Sequence, residues 1–280
     1  MPLKYTHAQF LESFDPMFLT VAAIVNTALL NQTFPISLKF SPGETLKYAT
    51  SINVVESRNP GTLRVNGTHM VTIKVSAVKD GKSTMNVSYS DPTAEAFISG
   101  LPASVPKEQK DQIVAQSKLG MKNSLGGPGR SQIVNPRGRT TYFVKGEKAR
   151  TITISNGAFL MAILPETAPT MNQKWTVPVA FPDANSAKPL QVTYKLVGTT
   201  IEPGEQGLKL SLTATDHGSR TDRGATLSTN LELSGWIVIG AKSGKVLKGE
   251  FTRTIRATFT APKQPAQKST TKVTQSYKKV

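Results

Sequence analysis

The residues best suited to chemistry in this chain are basic. Arg137, Arg139 and Lys145 flank Tyr142 and Phe143, so cations and aromatic rings alternate over a short stretch. That arrangement suits phosphate contacts beside stacked bases. A second group sits at the C-terminus: Lys263, Lys268, Lys272, Lys278 and Lys279 are the only charged side chains after Pro262. These eight residues are the candidate contacts for a polyanion. The whole chain carries 34 basic and 18 acidic residues, a net charge of +16. Charge of this sign favours an anionic surface or polymer as partner and is silent about fold.

Other constellations dissolve on inspection. The three histidines, His7, His69 and His217, stand far apart, and none has the H-x-H or H-x₃-H spacing that a metal ion needs. Asp216, His217 and Asp222, with Arg220 and Arg223 between, have the residue types of a hydrolase loop. No G-x-S-x-G elbow or matching nucleophile accompanies them, and these are also the residues of an exposed link. Gly126-Gly-Pro-Gly129-Arg130 lacks the strand-before and helix-after context of a phosphate cradle, and Pro128 removes an N–H. The acids are few and mostly in turns, so no carboxylate pair for glycoside chemistry is assigned. With no cysteine, disulfides, thiolate metal sites and cysteine nucleophiles are excluded. No catalytic, metal-ligating or cofactor-binding residue is assigned, no cofactor is expected, and the chain reads as a non-enzyme.

The elements that must carry these side chains are mostly strands. From Leu190 to Phe259 the apolar residues keep a period of two: Leu190, Val192, Tyr194 and Leu196; Leu208, Leu210 and Leu212; Leu227, Leu231 and Leu233; Phe251, Ile255, Ala257 and Phe259. One face buried and one wet is the pattern of an antiparallel sheet. Arg253 interrupts the last series, where a charge needs a partner or a route to water. Parity breaks between Leu233 and Trp236, so either a glycine bulge sits at Ser234-Gly235 or Trp236 starts a doubly buried section with Ile237 and Ile239. In the first half, Val71 to Ala77 and Met85 to Tyr89 alternate on either side of Asp80-Gly81, the strongest hairpin signal in the chain. Strands are expected again near Ser131, at Tyr142–Val144, at Ala149–Ile154 and at Trp175–Phe181.

Helices are few. Asp91-Pro92 suits a helix start, predicting a short helix over Thr93–Ser99. A second start at Ser104-Pro106 predicts a weakly amphipathic helix to Lys118, stopped by Gly120. Met17 to Leu30, MFLTVAAIVNTALL, is too short and too polar for a standard membrane span and has the length of a signal-peptide core. Glu12 and Asp15 stand where a signal has positive charge. A core helix packed on the sheet is the other reading. After Pro262 the composition falls to Lys, Gln, Thr, Ser and Pro, which predicts a disordered basic tail.

Short strings in the strand-rich region carry a resemblance. Leu164-Pro165 followed by Trp175, then Tyr194-Lys-Leu-Val-Gly198, and earlier Phe40-Ser-Pro-Gly43 through Tyr48, resemble an uncharacterised group of exported bacterial β-rich proteins. These share "L-P…W", "Y-x-L-x-G" and "F-x-x-G-x-x-x-x-Y" strings and a layout like the lipoprotein-carrier half-barrel. The resemblance spans most of Phe40 to Phe259. It implies a cell-envelope location and an apolar ligand, and carries over no functional residue.

The expectations are therefore these. The fold is mainly β: an antiparallel, strongly curved sheet, half-barrel or sandwich, with one or two short helices. Residues 1–35 form an N-terminal segment with the signal-like stretch 17–30. Residues 36–261 form a single β-rich domain with a helical insert at about 91–119, and 262–280 form the tail. The protein is extracytoplasmic, in the periplasm, the cell envelope or secreted, and it binds an apolar small molecule or lipid, or plays a structural part. The alternative is a protein that binds a polyanion through its basic surface and tail; single-stranded nucleic acid ranks below the apolar ligand.

Overall fold

The computed structural model describes residues 32–127, 129–143, 162–179, 189–222 and 224–280. The apolar stretch 17–30, Lys145 and the strand expected at Ala149–Ile154 lie outside these residues. The described chain forms one antiparallel sheet of eleven strands: β1 (Thr45–Arg58), β2 (Thr62–Lys79), β3 (Lys82–Ser99), β4 (Arg130–Val134), β5 (Thr140–Phe143), β6 (Lys174–Val179), β7 (Leu190–Glu202), β8 (Glu205–Asp222), β9 (Ala225–Gly240), β10 (Val246–Thr260) and β11 (Gln267–Lys279). One helix, α1 (Lys107–Leu125), follows β3. The order is β5-β4-β3-β2-β1-β11-β10-β9-β8-β7-β6. The sheet curls without closing.

β11 occupies the sixth of the eleven places, so the tail expected to be disordered is the centre of the sheet. Its backbone is paired on both sides, from Tyr48↔Lys279 to Arg58↔Ser269 with β1 and from Lys248↔Lys278 to Phe259↔Gln267 with β10. Two ladders order a strand whose own side chains bury little. Its inward positions, Val273, Gln275 and Tyr277, alternate with Thr274, Ser276 and Lys278. Gln275 and Tyr277 are buried, and Tyr277 meets the Tyr48 ring edge-on at 6.5 Å.

Two helix expectations also change. Thr93–Ser99 belongs to β3, not to a helix. Asp91 and Pro92 are the extra residues of a bulge: Thr68↔Thr93 and Met70↔Ser90 leave two residues of β3 opposite His69. Asp91 takes φ 53° there. A bulge is where a strand tolerates proline. The longer helix starts where expected, after Pro106, and runs past Gly120. Its end is at Gly126, whose N–H bonds the Lys122 carbonyl at 3.0 Å. Leu125, its one buried residue, seats over Gly67 of β2; a Cβ on Gly67 would lie 2.5 Å from Leu125 Cδ1. The expected bulge at Ser234-Gly235 is absent. β9 keeps unbroken register with β8 from Asp222↔Ala225 to Gly207↔Gly240, and Trp236 lies on the outer face while Leu233, Ile237 and Ile239 point inward. The parity break marks a section buried on both faces, with Val238 on the outer side as buried as Ile237 and Ile239 on the inner.

The hairpin at Asp80-Gly81 is as expected, both residues having positive φ (51° and 70°). The end of the sheet holding this turn is the lower end. There the inner face is packed solid: Leu46, Tyr48, Val71, Ile73 and Met85 from one wing meet Tyr194, Leu196, Leu208, Leu210 and Ile237 from the other. Two irregular segments fill the curl between the wings. Phe34, Ile36 and Leu38 come from one, and Ala162, Ile163 and Leu164 from the other. Backbone bonds fix them: Phe34 N–H to Pro169 O at 2.9 Å, Leu38 N–H to Pro136 O at 2.8 Å and Leu164 N–H to Arg137 O at 2.8 Å. A Cβ on Gly138 would stand 2.0 Å from the Ala162 carbonyl, so only glycine admits this crossing.

Candidate functional site

The inner face has a second half. Toward the upper end, where β1–β2, β8–β9 and β10–β11 turn, the same inward parity continues but burial fades. In β1 the pattern passes from buried Leu46, Tyr48, Thr50 and Ile52 to half-buried Val54 and Glu56 and exposed Arg58. In β10 it passes from buried Phe251 to half-buried Arg253, Ile255 and Ala257 and exposed Phe259. Leu227 and Phe259 are register partners, both inward, with 37% and 39% of their surface in solvent. Large apolar side chains side by side in this state mark a surface shaped to be covered.

Two hollows open on this half. One, of about 280 Å³, lies between the sheet and α1, lined by Leu63, Ile98, Leu101 and Ile113. The other, of about 690 Å³, is lined by Leu227, Ala257 and Phe259 with Pro265 and Ser269 at its rim. Arg58 borders both. Its side chain is 73% exposed and its guanidinium pairs with the Glu56 carboxylate, a contact that does not use all five guanidinium N–H donors. The hollows thus offer apolar walls on either side of Arg58, with Lys268 also bordering the larger one. That is the lining of a site for an amphiphile: apolar area supplies affinity, and a few polar groups fix orientation.

Among the described residues the lower half is packed core, and its polar groups are shut in. His69 and Thr50 are cross-strand partners on the inner face, 3% and 4% exposed. Neither ring nitrogen of His69, nor the Thr50 hydroxyl, meets a hydrogen-bond partner among the described residues. Burial holds the His69 pKa below its ordinary value. Burial likewise pushes the Tyr48, Tyr194 and Tyr277 phenols well above theirs. Tyr48 donates to Val246 O at 3.0 Å, and the Trp175 indole, stacked on Tyr194 at 5.8 Å, donates to Ile163 O at 2.8 Å.

The described candidate polyanion residues divide between the turn before β5 and the last turn and strand of the chain. Arg137 is a structural tie: its guanidinium donates to Ile36 O at 3.0 Å and to Glu166 O at 2.6 Å, holding both core segments. Arg139 is exposed on the same turn, its N–H bonded to Asn135 Oδ1 at 2.9 Å. Lys263 is in the β10–β11 turn with φ 59°. Lys268, Lys272 and Lys278 point outward from β11, and Lys279 points inward at the lower end. The loop expected around His217 is strand: alternation sends Asp216 inward and His217 outward, where its Nδ1 meets Asn230 Oδ1 at 2.6 Å. A residue pair divided between two faces cannot act as a dyad. Among the described residues no group of three or more His, Asp or Glu side chains is placed to hold a metal ion, and no helix is long and apolar enough to cross a membrane.

No protein-family model and no curated protein matches the chain. Among solved structures it is similar to one described as "Lipid-protein interactions in lipovitellin", with 9% identity and a TM-score of 0.47 over 86% of this chain and 25% of that one. The chain thus spans about a quarter of that protein's length. A putative AttH from Nitrosomonas europaea overlaps 81% of this chain and 92% of its own, with 11% identity and a TM-score of 0.12. Likenesses this loose carry no functional argument.

Proposed function

We propose that the protein is a non-enzymatic binding protein that holds an apolar, chain-like small molecule or lipid against the upper half of its curved sheet. The observation that supports this is the contrast within one face: a filled core below, and above it two hollows walled by half-exposed apolar side chains with Arg58 between them. Burying an apolar surface element contributes about 25 cal/mol per Å², so a ligand tail that covers Leu227 and Phe259 gains affinity there without new polar contacts. Arg58 takes the anionic head. The signal-like stretch 17–30 supports an extracytoplasmic site of action.

A fluorescence titration of the full chain with dansylaminoundecanoic acid tests the reading. Saturable enhancement, displaced by unlabelled fatty acid and abolished by Phe259→Arg in a variant with unchanged circular dichroism, is the expected result. Absence of saturable binding, or equal binding by Phe259→Arg, would sink the proposal. Fractionation of the host bears on location; full-length protein with Met1 intact in the cytosol removes the support for export.

A further inference from the structure

The two hollows of the upper half meet at one place. Among the described residues, Arg58 alone lines both. It ends β1 on the inner face, and the turn after it is shared out: Pro60 and Gly61 line the smaller hollow and Asn59 the larger. The smaller hollow is a slot under α1. The helix is pinned at its last turn, where Leu125 seats over Gly67, and stands off the sheet at Ile113, about 18 Å earlier along its axis. Leu101 seats over Gly61, where a Cβ would lie 2.7 Å from Leu101 Cδ2. Leu63 and Ile98 supply the sheet side of the slot.

The hollows differ in size and lining. The smaller, about 280 Å³, has mostly aliphatic walls, and its charged residues are Glu56 and Arg58. The larger, about 690 Å³, joins an apolar side, Leu227, Ala257 and Phe259, to a polar one, Asn59, Gln267 and Lys268. Arg58 faces Ser269 across the β1–β11 ladder, so Lys268 is the next residue along. The charged residues that line the two hollows are thus Glu56, Arg58 and Lys268, an excess of one positive charge. The Arg58–Glu56 pair is open to water on the Arg58 side. An ion pair in water is weak, so Glu56 does not withhold Arg58 from a second anion.

We infer, resting on the upper-half site proposed above, that the ligand is a lipid with two acyl chains and a monoanionic head. One chain enters the slot under Ile113. The other lies on Leu227 and Phe259. The head stands at Arg58, with its polar linkages against Asn59, Gln267 and Lys268, which accounts for the larger size and mixed lining of the second hollow. A one-chain amphiphile has one head for the one Arg58, and its tail enters either hollow. It therefore titrates both hollows together in a one-to-one complex. A second chain adds apolar burial without a second head to hold.

Calorimetric titration of the full chain with dioctanoylphosphatidylglycerol and with its one-chain counterpart, octanoyl-lysophosphatidylglycerol, tests the fork. Both should bind one to one, the two-chain lipid more tightly. Ile113→Gln, which puts an amide in the slot, should weaken the two-chain lipid about tenfold and the one-chain lipid no more than about twofold, since its tail keeps the other hollow. Leu101→Gln should repeat this from the opposite wall. Leu119→Gln, on the exposed side of the same helix, should change neither. Arg58→Gln should weaken both lipids equally, by about tenfold. Two one-chain molecules per protein, no advantage for the second chain, or equal weakening of both lipids by Ile113→Gln and Leu101→Gln would overturn the two-chain assignment. If the dansyl probe still binds and still depends on Phe259 in that case, the upper-half site stands without it; if neither lipid nor probe binds, both fall. Circular dichroism of each variant separates loss of binding from loss of fold.

Discussion

The lower and upper halves of the inner face are made by the same strands in the same register, yet they do different things. Below, Leu210 and Ile237 are fully buried against the opposite wing and the two crossing segments. Above, Leu227 and Phe259 continue the alternation and remain more than a third exposed. Strand pairing therefore sets which side chains face inward, and a second layer decides which of them become core. The lower half has that layer in residues 33–40 and 162–164; among the described residues the upper half has only α1, which packs on β2 and β3.

The comparison can be broken most severely at its shared support. Ending the chain before Gln267 removes β11 and leaves β1 and β10 without their common partner. Loss of cooperative unfolding, followed by circular dichroism and calorimetry, is expected, because two ladders of the central strand disappear. A chain that still melts cooperatively would show that β11 is an appendage.

Within the intact sheet, one pair of truncations separates the halves. Leu210→Ala should cost about 2–5 kcal/mol, the range for a buried leucine whose cavity cannot collapse. Phe259→Ala should cost less than about 1 kcal/mol, since much of the ring is already in water, yet weaken the dansyl probe severalfold. Urea unfolding measures the first quantity. Similar stability losses at both positions would erase the distinction between core and site.

Acid should act on the lower half of the inner face through His69. His69 is buried with its ring nitrogens unpartnered and its pKa lowered by desolvation. The folded state thus favours neutral imidazole more than the unfolded chain does. That stability is whole above the unfolded value, about pH 6.5, and is lost as pH falls through the lowered folded value. His69→Leu should flatten this acid limb in a pH series of melting temperatures. An unchanged limb would mean that other groups set it. The smallest effect belongs to the wet face: Lys272→Gln should shift stability by no more than about 0.5 kcal/mol.

Much of this architecture was legible as alternation. The Asp80-Gly81 hairpin and the inward series of β7 to β10 follow from period two and turn chemistry alone. β11 was not legible, because only Val273 and Tyr277 among its inward residues are apolar, and its order comes from neighbours distant in sequence. Asp91-Pro92 resembled a helix start because a bulge in a strand uses the same residues for a different reason. The cleft was hidden for a related cause. Leu227 and Phe259 carry the core pattern, and nothing local tells a core leucine from an exposed one. A trace of the division does exist: the inward positions around them turn small or polar, as Gly218, Thr229, Ser269 and Thr271.

The central claim is that one face is divided into core and binding site, and methyl NMR of the full chain tests it most directly. Titration with a long-chain fatty acid should shift the methyl resonances of Leu63, Ile98 and Leu227 along one saturation curve, while those of Leu210 and Ile237 stay in place. Saturation with no movement in the upper half, or movement centred on the lower half, would contradict the account.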